Sequence, residues 1–331
     1  MSQLSLAQHV SPAVRPAGHR STGPQAPLTS TVARQLVHRA AVAEVFLTGW
    51  RAVDDRRTAV TAQWPRAHSF HRPVAGLHDP LLVAETIRQA GVLVCHTVHE
   101  VPLGHRFLMW GLRTEVHPRH LTVGDRPADL DLDVDFTELK RSGSRLEGRY
   151  TVTIRREGDL VATGGAHFSC TAPAVYRRLR GERHGVRPRR EDVVGAALAP
   201  LPPAVVGRTE ACDVVLSPTG TPRRWQLRPD IAHPVLFDHP DDHVPGMVLL
   251  EAARQAATAA APAGTAVLPR SLDSTFQRYV EFDSPCWIEA AVSAHDQGST
   301  VRVTGTQNDE TVFGCDLLVV PAPTTANDPR R

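Results

Sequence analysis

The chain has 331 residues, 41% of them hydrophobic and 22% charged, with a formal net charge of +2. That is enough chain for about two domains at ~150 residues each, with a sizeable buried core. The balance excludes a disordered, collagenous or strongly nucleic-acid-like polymer. Of the 37 basic residues only Lys140 is lysine, and 27 prolines accompany the arginines, as expected of high-GC coding bias. Single arginines are therefore not read as phosphate ligands on number alone. Cys95, Cys170, Cys212, Cys286 and Cys315 are widely spaced with no C-x-x-C pair, which argues against a disulfide framework or a structural zinc site. No basic start precedes an apolar stretch, so no signal peptide is expected. The most apolar long stretch, residues 193–207, is broken by Pro200, Pro202 and Pro203, so no membrane span is expected. The sequence reads as a soluble cytoplasmic protein without membrane or nucleic-acid partners.

Residues 1–30, rich in Ser, Pro, Gly and His, read as a flexible arm. A first unit spans residues 31–175. Extended segments at 42–47 and 59–64 lead into a His- and Pro-rich loop and then a helix. Asp79-Pro80 opens that helix, with Asp79 as N-cap, and it runs to about Val98. The period then changes from 3.6 to 2. Leu130, Leu132, Val134 and Phe136 alternate with Asp131, Asp133 and Asp135, a half-buried strand. Strands at 146–155 and 160–170 follow around the Glu157-Gly158-Asp159 turn. Residues 176–205 read as an Arg- and Pro-rich linker, with seven arginines between Tyr176 and Arg190. A solvated surface is the default reading, and steering of an acidic carrier protein is the functional alternative. Aromatic residues do not interleave these charges beyond Tyr176, so nucleic-acid binding is disfavoured.

A second unit spans residues 206–321, with extended segments at 211–216 and 224–227. Its helix starts at Pro245-Gly246 and keeps Met247, Leu250, Ala253 and Ala257 on a 3/4 spacing. Strands are expected at 287–294, 300–306 and 311–320, with Asn308-Asp309 in the last turn, and residues 322–331 read as a flexible tail. The two units repeat one pattern. Glu85-Thr-Ile-Arg88-Gln89-Ala90 and Glu251-Ala-Ala-Arg254-Gln255-Ala256 share E-x-x-R-Q-A, 166 positions apart. Upstream, Val37-His-Arg39 parallels Val206-Gly-Arg208, 169 positions apart. Two matches in one order argue for duplication. One long helix with a run of antiparallel strands, taken twice, predicts an α+β fold in which each helix is wrapped by a curved sheet.

The run from Asp238-His239-Pro through His243-Val-Pro245-Gly246-Met to Glu251-Ala-Ala-Arg254-Gln255-Ala resembles the signature of the A-factor biosynthesis (AfsA-type) family. Its Pro-Gly segment is also similar to that of hotdog β-hydroxyacyl-carrier-protein dehydratases. The resemblance covers roughly residues 37–320 and implies two tandem hotdog domains packed as a pseudo-dimer. It implies an acyltransferase that joins a β-ketoacyl thioester, carried by acyl carrier protein or CoA, to dihydroxyacetone phosphate. That is the first step toward a γ-butyrolactone, butenolide or furan signal, with a possible homodimer and no cofactor. Alternatives are a hotdog dehydratase or thioesterase, or a non-catalytic effector-binding module. Neither alternative enzyme needs a phosphate ligand, so the arginine of E-x-x-R-Q argues against both. G-x-x-x-x-G-K, G-x-G-x-x-G and G-x-S-x-G are all absent.

Candidate site residues follow. Glu251, and Glu85 in the first unit, lie in apolar stretches where burial would raise the pKa and suit a general base. The alternative is an i,i+3 ion pair with Arg254 and Arg88. Arg254 is the favoured phosphate clamp and Arg88 its counterpart. Gln255 and Gln89 could orient the carboxylates or a substrate carbonyl. His239 and His243 are site-lining acid or orienting groups, matched in the first unit by His71 and His78. A metal centre is not expected: Pro240 disfavours a helical histidine pair, and Asp238, Asp241 and Asp242 suit solvated turns. Gly246 at a helix start leaves N–H groups for an oxyanion. Asp79-Pro80 replaces Pro-Gly in the first unit, so the two sites should not be equally active.

Overall fold

The computed structural model describes residues 30–262 and 265–322. All but one residue of the expected arm and of the expected tail lie outside these. The first half contains β1 (Leu47–Ala52), β2 (Arg57–Trp64), α1 (Pro80–Thr97), β3 (Arg106–Val116), β4 (Ala128–Ser142), β5 (Arg145–Arg156) and β6 (Asp159–Thr171). A short helix, α2 (Pro173–Arg180), follows. The second half repeats the order with β7 (Leu216–Pro218), β8 (Arg224–Leu227), α3 (Gly246–Ala259), β9 (Val267–Phe276), β10 (Cys286–His295), β11 (Gly298–Gln307) and β12 (Glu310–Pro321).

All twelve strands form one sheet in the order β1-β2-β4-β5-β6-β3-β9-β12-β11-β10-β8-β7. Read from the two ends, the halves show the same strand order. A pseudo-two-fold axis therefore passes between β3 and β9, which pair antiparallel with Leu112 opposite Ser274. Ser274 Oγ donates to the carbonyl of Leu112 across that seam at 2.8 Å. Each half is one long helix wrapped by a curved sheet, and α1 and α3 touch. The architecture is α+β, two tandem hotdog domains in one chain.

Alternation makes the outer strands. Over residues 128–136 of β4 the apolar residues are buried and the aspartates face out, so one face of that stretch joins the core. Asp79 caps α1 by accepting from the Leu81 N–H. The two cores interlock: Phe70, Leu81 and Ala84 from the first half pack in the cluster around α3, and Leu268 from β9 packs in the cluster around α1.

Two expectations fail for physical reasons. The expected strands at 42–47 and 211–216 each begin with a three-residue 3-10 turn, Val42–Glu44 and Ala211–Asp213, and become strand only at Leu47 and Leu216. Backbone groups there bond to the helix instead of to a neighbouring strand: Phe46 N donates to Gln89 Oε1 and Val215 N to Gln255 Oε1, both at 3.0 Å. Both seam strands were also absent from the sequence pattern. Phe107–Trp110 in β3 is a run with no alternation, and β9 carries Pro269 among polar residues.

Glycine lets the sheet close on the helix. A Cβ at Gly164 would stand 2.4 Å from the Arg113 carbonyl oxygen and 2.5 Å from Ile87 Cδ1. Gly164→Ala should therefore destabilise the chain by about 1–3 kcal/mol, read as a lower urea midpoint at unchanged slope.

Candidate active site

The two E-x-x-R-Q motifs build two near-identical buried clusters. Glu251 is 0% and Glu85 1% exposed. Arg254 grips Glu251 through Nε (2.9 Å) and Nη2 (2.7 Å), and Arg208 grips it through Nε (2.8 Å) and Nη2 (2.5 Å). Gln255 Nε2 adds a bond at 2.5 Å and also donates to the Asp213 carbonyl at 2.8 Å. In the first half Arg88, Arg39 and Gln89 do the same for Glu85, and Gln89 donates to the Glu44 carbonyl at 2.7 Å. Both upstream arginines also reach into the other half. Arg208 Nη1 donates to the Phe70 carbonyl at 2.6 Å, and Arg39 Nη1 to the Val235 carbonyl at 3.4 Å.

This arrangement overturns the expected raised pKa. Burial alone would push both carboxyls up, but two guanidinium groups on each outweigh it, and Glu85 and Glu251 are held well below the usual carboxylate range. A carboxylate so held is a poor proton acceptor near neutral pH. Both glutamates are placed to hold the fold together.

A cavity of about 830 Å³ opens between the halves, walled by parts of α1, α2, β3, the end of β9 and the N-terminus of α3. Arg88 lines it and Arg254 does not. The Arg88 side chain is 17% exposed, against 5% for Arg254. Arg254 makes the same bonds to Glu251 and the Val206 carbonyl that Arg88 makes to Glu85 and the Val37 carbonyl, so what separates the expected clamp from its counterpart is access: of the two, Arg88 alone reaches the cavity. The residue before each upstream arginine also differs: Gly207 in the second half and His38 in the first, both with left-handed backbone (φ 66° and 52°). His38 lines the cavity.

Gly246, His239 and His243 all line the cavity. No side chain caps α3, and Gly246 and Met247 at its start line the cavity, while the Val248 N–H is bonded to the Pro245 carbonyl at 3.0 Å. Gly246 lies where a Cβ would meet the Phe276 ring at 3.2 Å. His243 Nδ1 donates to Asp242 Oδ1 at 2.9 Å, which fixes the ring on the cavity wall and leaves the lone pair on Nε2. Asp242 is not a solvated turn former. It is buried, and its Oδ1 also accepts from the Tyr176 hydroxyl at 2.7 Å. Burial would raise its pKa, but His243, Tyr176 and Arg180 together hold it well below the ordinary value. Asp238 is likewise engaged, accepting from the Ala40 and Ala41 N–H groups of the other half at 2.6 and 2.9 Å. Asp241, Asp242 and His243 lie close enough to form a three-residue donor set. The bonds already made by Asp242 and His243 leave that set poorly suited to a cation.

The linker is not uniformly solvated either. Arg180 is buried and donates to Glu281 at 2.7 Å and to the Asp242 carbonyl at 2.7 Å, so α2 roofs the cavity. His71 and His78 are buried away from it, and the true repeat partner of His233 is His68. His68 Nδ1 accepts from the N–H groups of Phe70 and His71 as His233 Nδ1 does from those of Val235 and Leu236. At the α1 N-terminus the pseudo-equivalent place is sealed by Asp79, His71 and Phe70, with Arg208 stacked on the Phe70 ring at 4.1 Å. Sequence reading missed Asp242, His38 and Arg106. For His38 the available signal was its position opposite Gly207 in the repeat.

Two helix-in-sheet units sharing one sheet, with a cleft at their seam, define a tandem-hotdog protein. The chain belongs to the A-factor biosynthesis hotdog domain family, which its sequence matches over residues 21–172 and 192–325. It is 56% identical over 294 residues to a 2-oxo-3-(phosphooxy)propyl 3-oxoalkanoate synthase of Streptomyces virginiae, covering 87% of this chain and 97% of that one. A protein of the same name from Streptomyces griseus is 44% identical over 301 residues, covering 88% and 97%. Among solved structures, a 12:0-ACP thioesterase from Umbellularia californica aligns at TM-score 0.44 and 12% identity, covering 80% of this chain and 97% of that one. No described helix is long and apolar enough to cross a membrane.

Replacing Glu251 by Gln would leave the buried Arg254 without its bonded carboxylate and Arg208 with only Asp79, 3.5 Å away. The expected cost is about 3–5 kcal/mol of stability. The depressed carboxyl stabilises the fold above its unfolded pKa of ~4.3, and this contribution is lost as pH falls further. Wild-type stability should drop below about pH 5, and Glu251→Gln should flatten that acid limb in a denaturation series across pH.

Proposed function

We propose that the chain transfers a 3-oxoacyl group from a thioester to the hydroxyl of dihydroxyacetone phosphate. The observation that carries this reading is the Asp242–His243 pair on the cavity wall, one turn before the uncapped N-terminus of α3. It is the arrangement acyl transfer needs: a base with its tautomer fixed, beside donors for an oxyanion. The names of the relatives, with a phosphooxypropyl and a 3-oxoalkanoate part, supply the substrates.

The acyl chain lies along apolar lining that includes Val92, Phe107, Met109, Leu249 and Leu250. Its thioester carbonyl faces the first N–H groups of α3, and Gly246 keeps that approach open. His243 Nε2 takes the hydroxyl proton as the oxygen attacks the carbonyl carbon. The resulting oxyanion is held by the helix N–H groups. When the intermediate collapses, the C–S bond breaks, the ester forms, and the imidazolium returns its proton to the thiolate. Asp242 steadies the imidazolium and is a positioning residue. Arg88, with a nitrogen to spare beyond its bonds to Glu85 and Val37, draws the phosphate end.

The donor thioester comes on acyl carrier protein or CoA. Arg177 and Arg178 stand exposed on α2 beside the cavity and suit an acidic carrier. Both walls of the cleft come from one chain, so a homodimer is not needed to complete the site. A cytoplasmic setting agrees with five free cysteines, four of them buried.

Purified protein given a 3-oxoacyl-CoA and dihydroxyacetone phosphate should form the phosphorylated ester, detected by mass spectrometry. His243→Gln should lower kcat about 10²- to 10⁴-fold, with circular dichroism unchanged. Equal thiol release with and without dihydroxyacetone phosphate would replace this reading with hydrolysis.

A further inference from the structure

We infer that His38, Arg88, Arg106 and His239 form a subsite for a phosphate monoester, and that His38 Nδ1 shares one proton with the bound phosphate. The ligand class rests on the acyl-transfer reading above; the proton argument rests on geometry. His96 Nδ1 lies 2.7 Å from the Val101 carbonyl, which only an N–H can approach, so Nδ1 carries the proton and His96 Nε2 is a lone pair. His38 Nε2 lies 2.9 Å from that lone pair and must therefore be the donor. Neutral His38 is left with its own lone pair on Nδ1, which has no partner among the described residues.

His38, Arg88, Arg106 and His239 all line the cavity. Around His38 stand Arg88 and His96 from α1, Arg106 from β3 and His239 from the loop before α3. The nearby carboxylates are already used, Glu85 by Arg39 and Arg88, and Asp238 by two backbone N–H groups and His239. Arg106 contacts the Tyr176 face at 5.4 Å and has no carboxylate partner among the described residues. Burial first, then the neighbouring arginine and histidine groups, lower the His38 pKa to about 3. Among these positive groups His38 presents the lone pair of its Nδ1. A phosphate oxygen cannot sit against that lone pair unless a proton lies between them.

The second phosphate pKa is ~6, so a monoester is a dianion at pH 8 and mostly a monoanion at pH 5. At pH 8 the shared proton must come from solvent. At pH 5 the ligand brings its own. His38 has left-handed backbone, a conformation that asparagine also tolerates, and an asparagine amide can donate to phosphate without titrating.

Titration calorimetry with sn-glycerol 3-phosphate, in buffers of different protonation enthalpy and with no thioester present, tests this. Wild type should take up about one proton per bound phosphate at pH 8 and almost none at pH 5. His38→Asn should bind with no uptake at pH 8. His239→Gln, which removes the other titratable ring of the subsite, should keep the uptake. Arg106→Gln should weaken binding about tenfold or more at both pH values and keep it too. Absence of binding, binding by wild type without uptake at pH 8, or uptake that survives in His38→Asn and vanishes in His239→Gln would overturn the proposal. Uptake as described in a protein that forms no ester would sustain the subsite and remove the acyl-transfer reading.

Discussion

Glu85 and Glu251 are sealed from water between two guanidinium groups each, and in both clusters one of those arginines also bonds the backbone of the other half. Removing a carboxylate from water is expensive, and it is tolerated here because each faces two guanidinium groups and both its oxygens accept hydrogen bonds. The match also has a geometric consequence. Arg39 and Arg208 can satisfy their glutamates and the distant carbonyls only when the two hotdog units sit in one relation. The pairing of β3 with β9 and the interlocked cores act in the same direction. The cleft at the seam is a product of that fixed relation.

Duplication supplies two places for a site, and the chain uses them differently. Where α3 begins, the backbone is Pro245-Gly246, the cap is absent and His243 faces a cavity. Where α1 begins, Asp79 occupies the cap, Phe70 fills the space and Arg208 lies over its ring. The arginines follow the same split. Arg88 opens to the cavity beside His38, while Arg254 packs against Gly207 in a sealed cluster. One helix N-terminus therefore opens to the cleft, and the other is closed over by the fold.

Much of this was legible in the sequence. The alternation in residues 130–136, the Asp79 cap and the doubled E-x-x-R-Q motif carry information that survives without tertiary context. The seam strands were not legible, because β3 and β9 are defined by partners on both sides and not by a period of their own. The charge state of Glu251 was not legible for a related reason. An apolar helix face around a glutamate predicts burial, but the counter-charge comes from Arg208, 43 positions upstream. The V-x-R match had marked Arg39 and Arg208 as a repeated pair without indicating where they point. Asp242 and His243 sit among acidic residues that look alike in sequence. Only the approach of Tyr176 and Arg180 from α2 separates the buried carboxylate from its exposed neighbours.

A duplicated fold with one open cleft has room for one acyl donor per chain. The number of sites tests it most directly, by titrating the chain with an unreactive ether analogue of a 3-oxoacyl-CoA in the calorimeter. One bound molecule per chain is the result this account predicts. Two equivalent molecules per chain would contradict it.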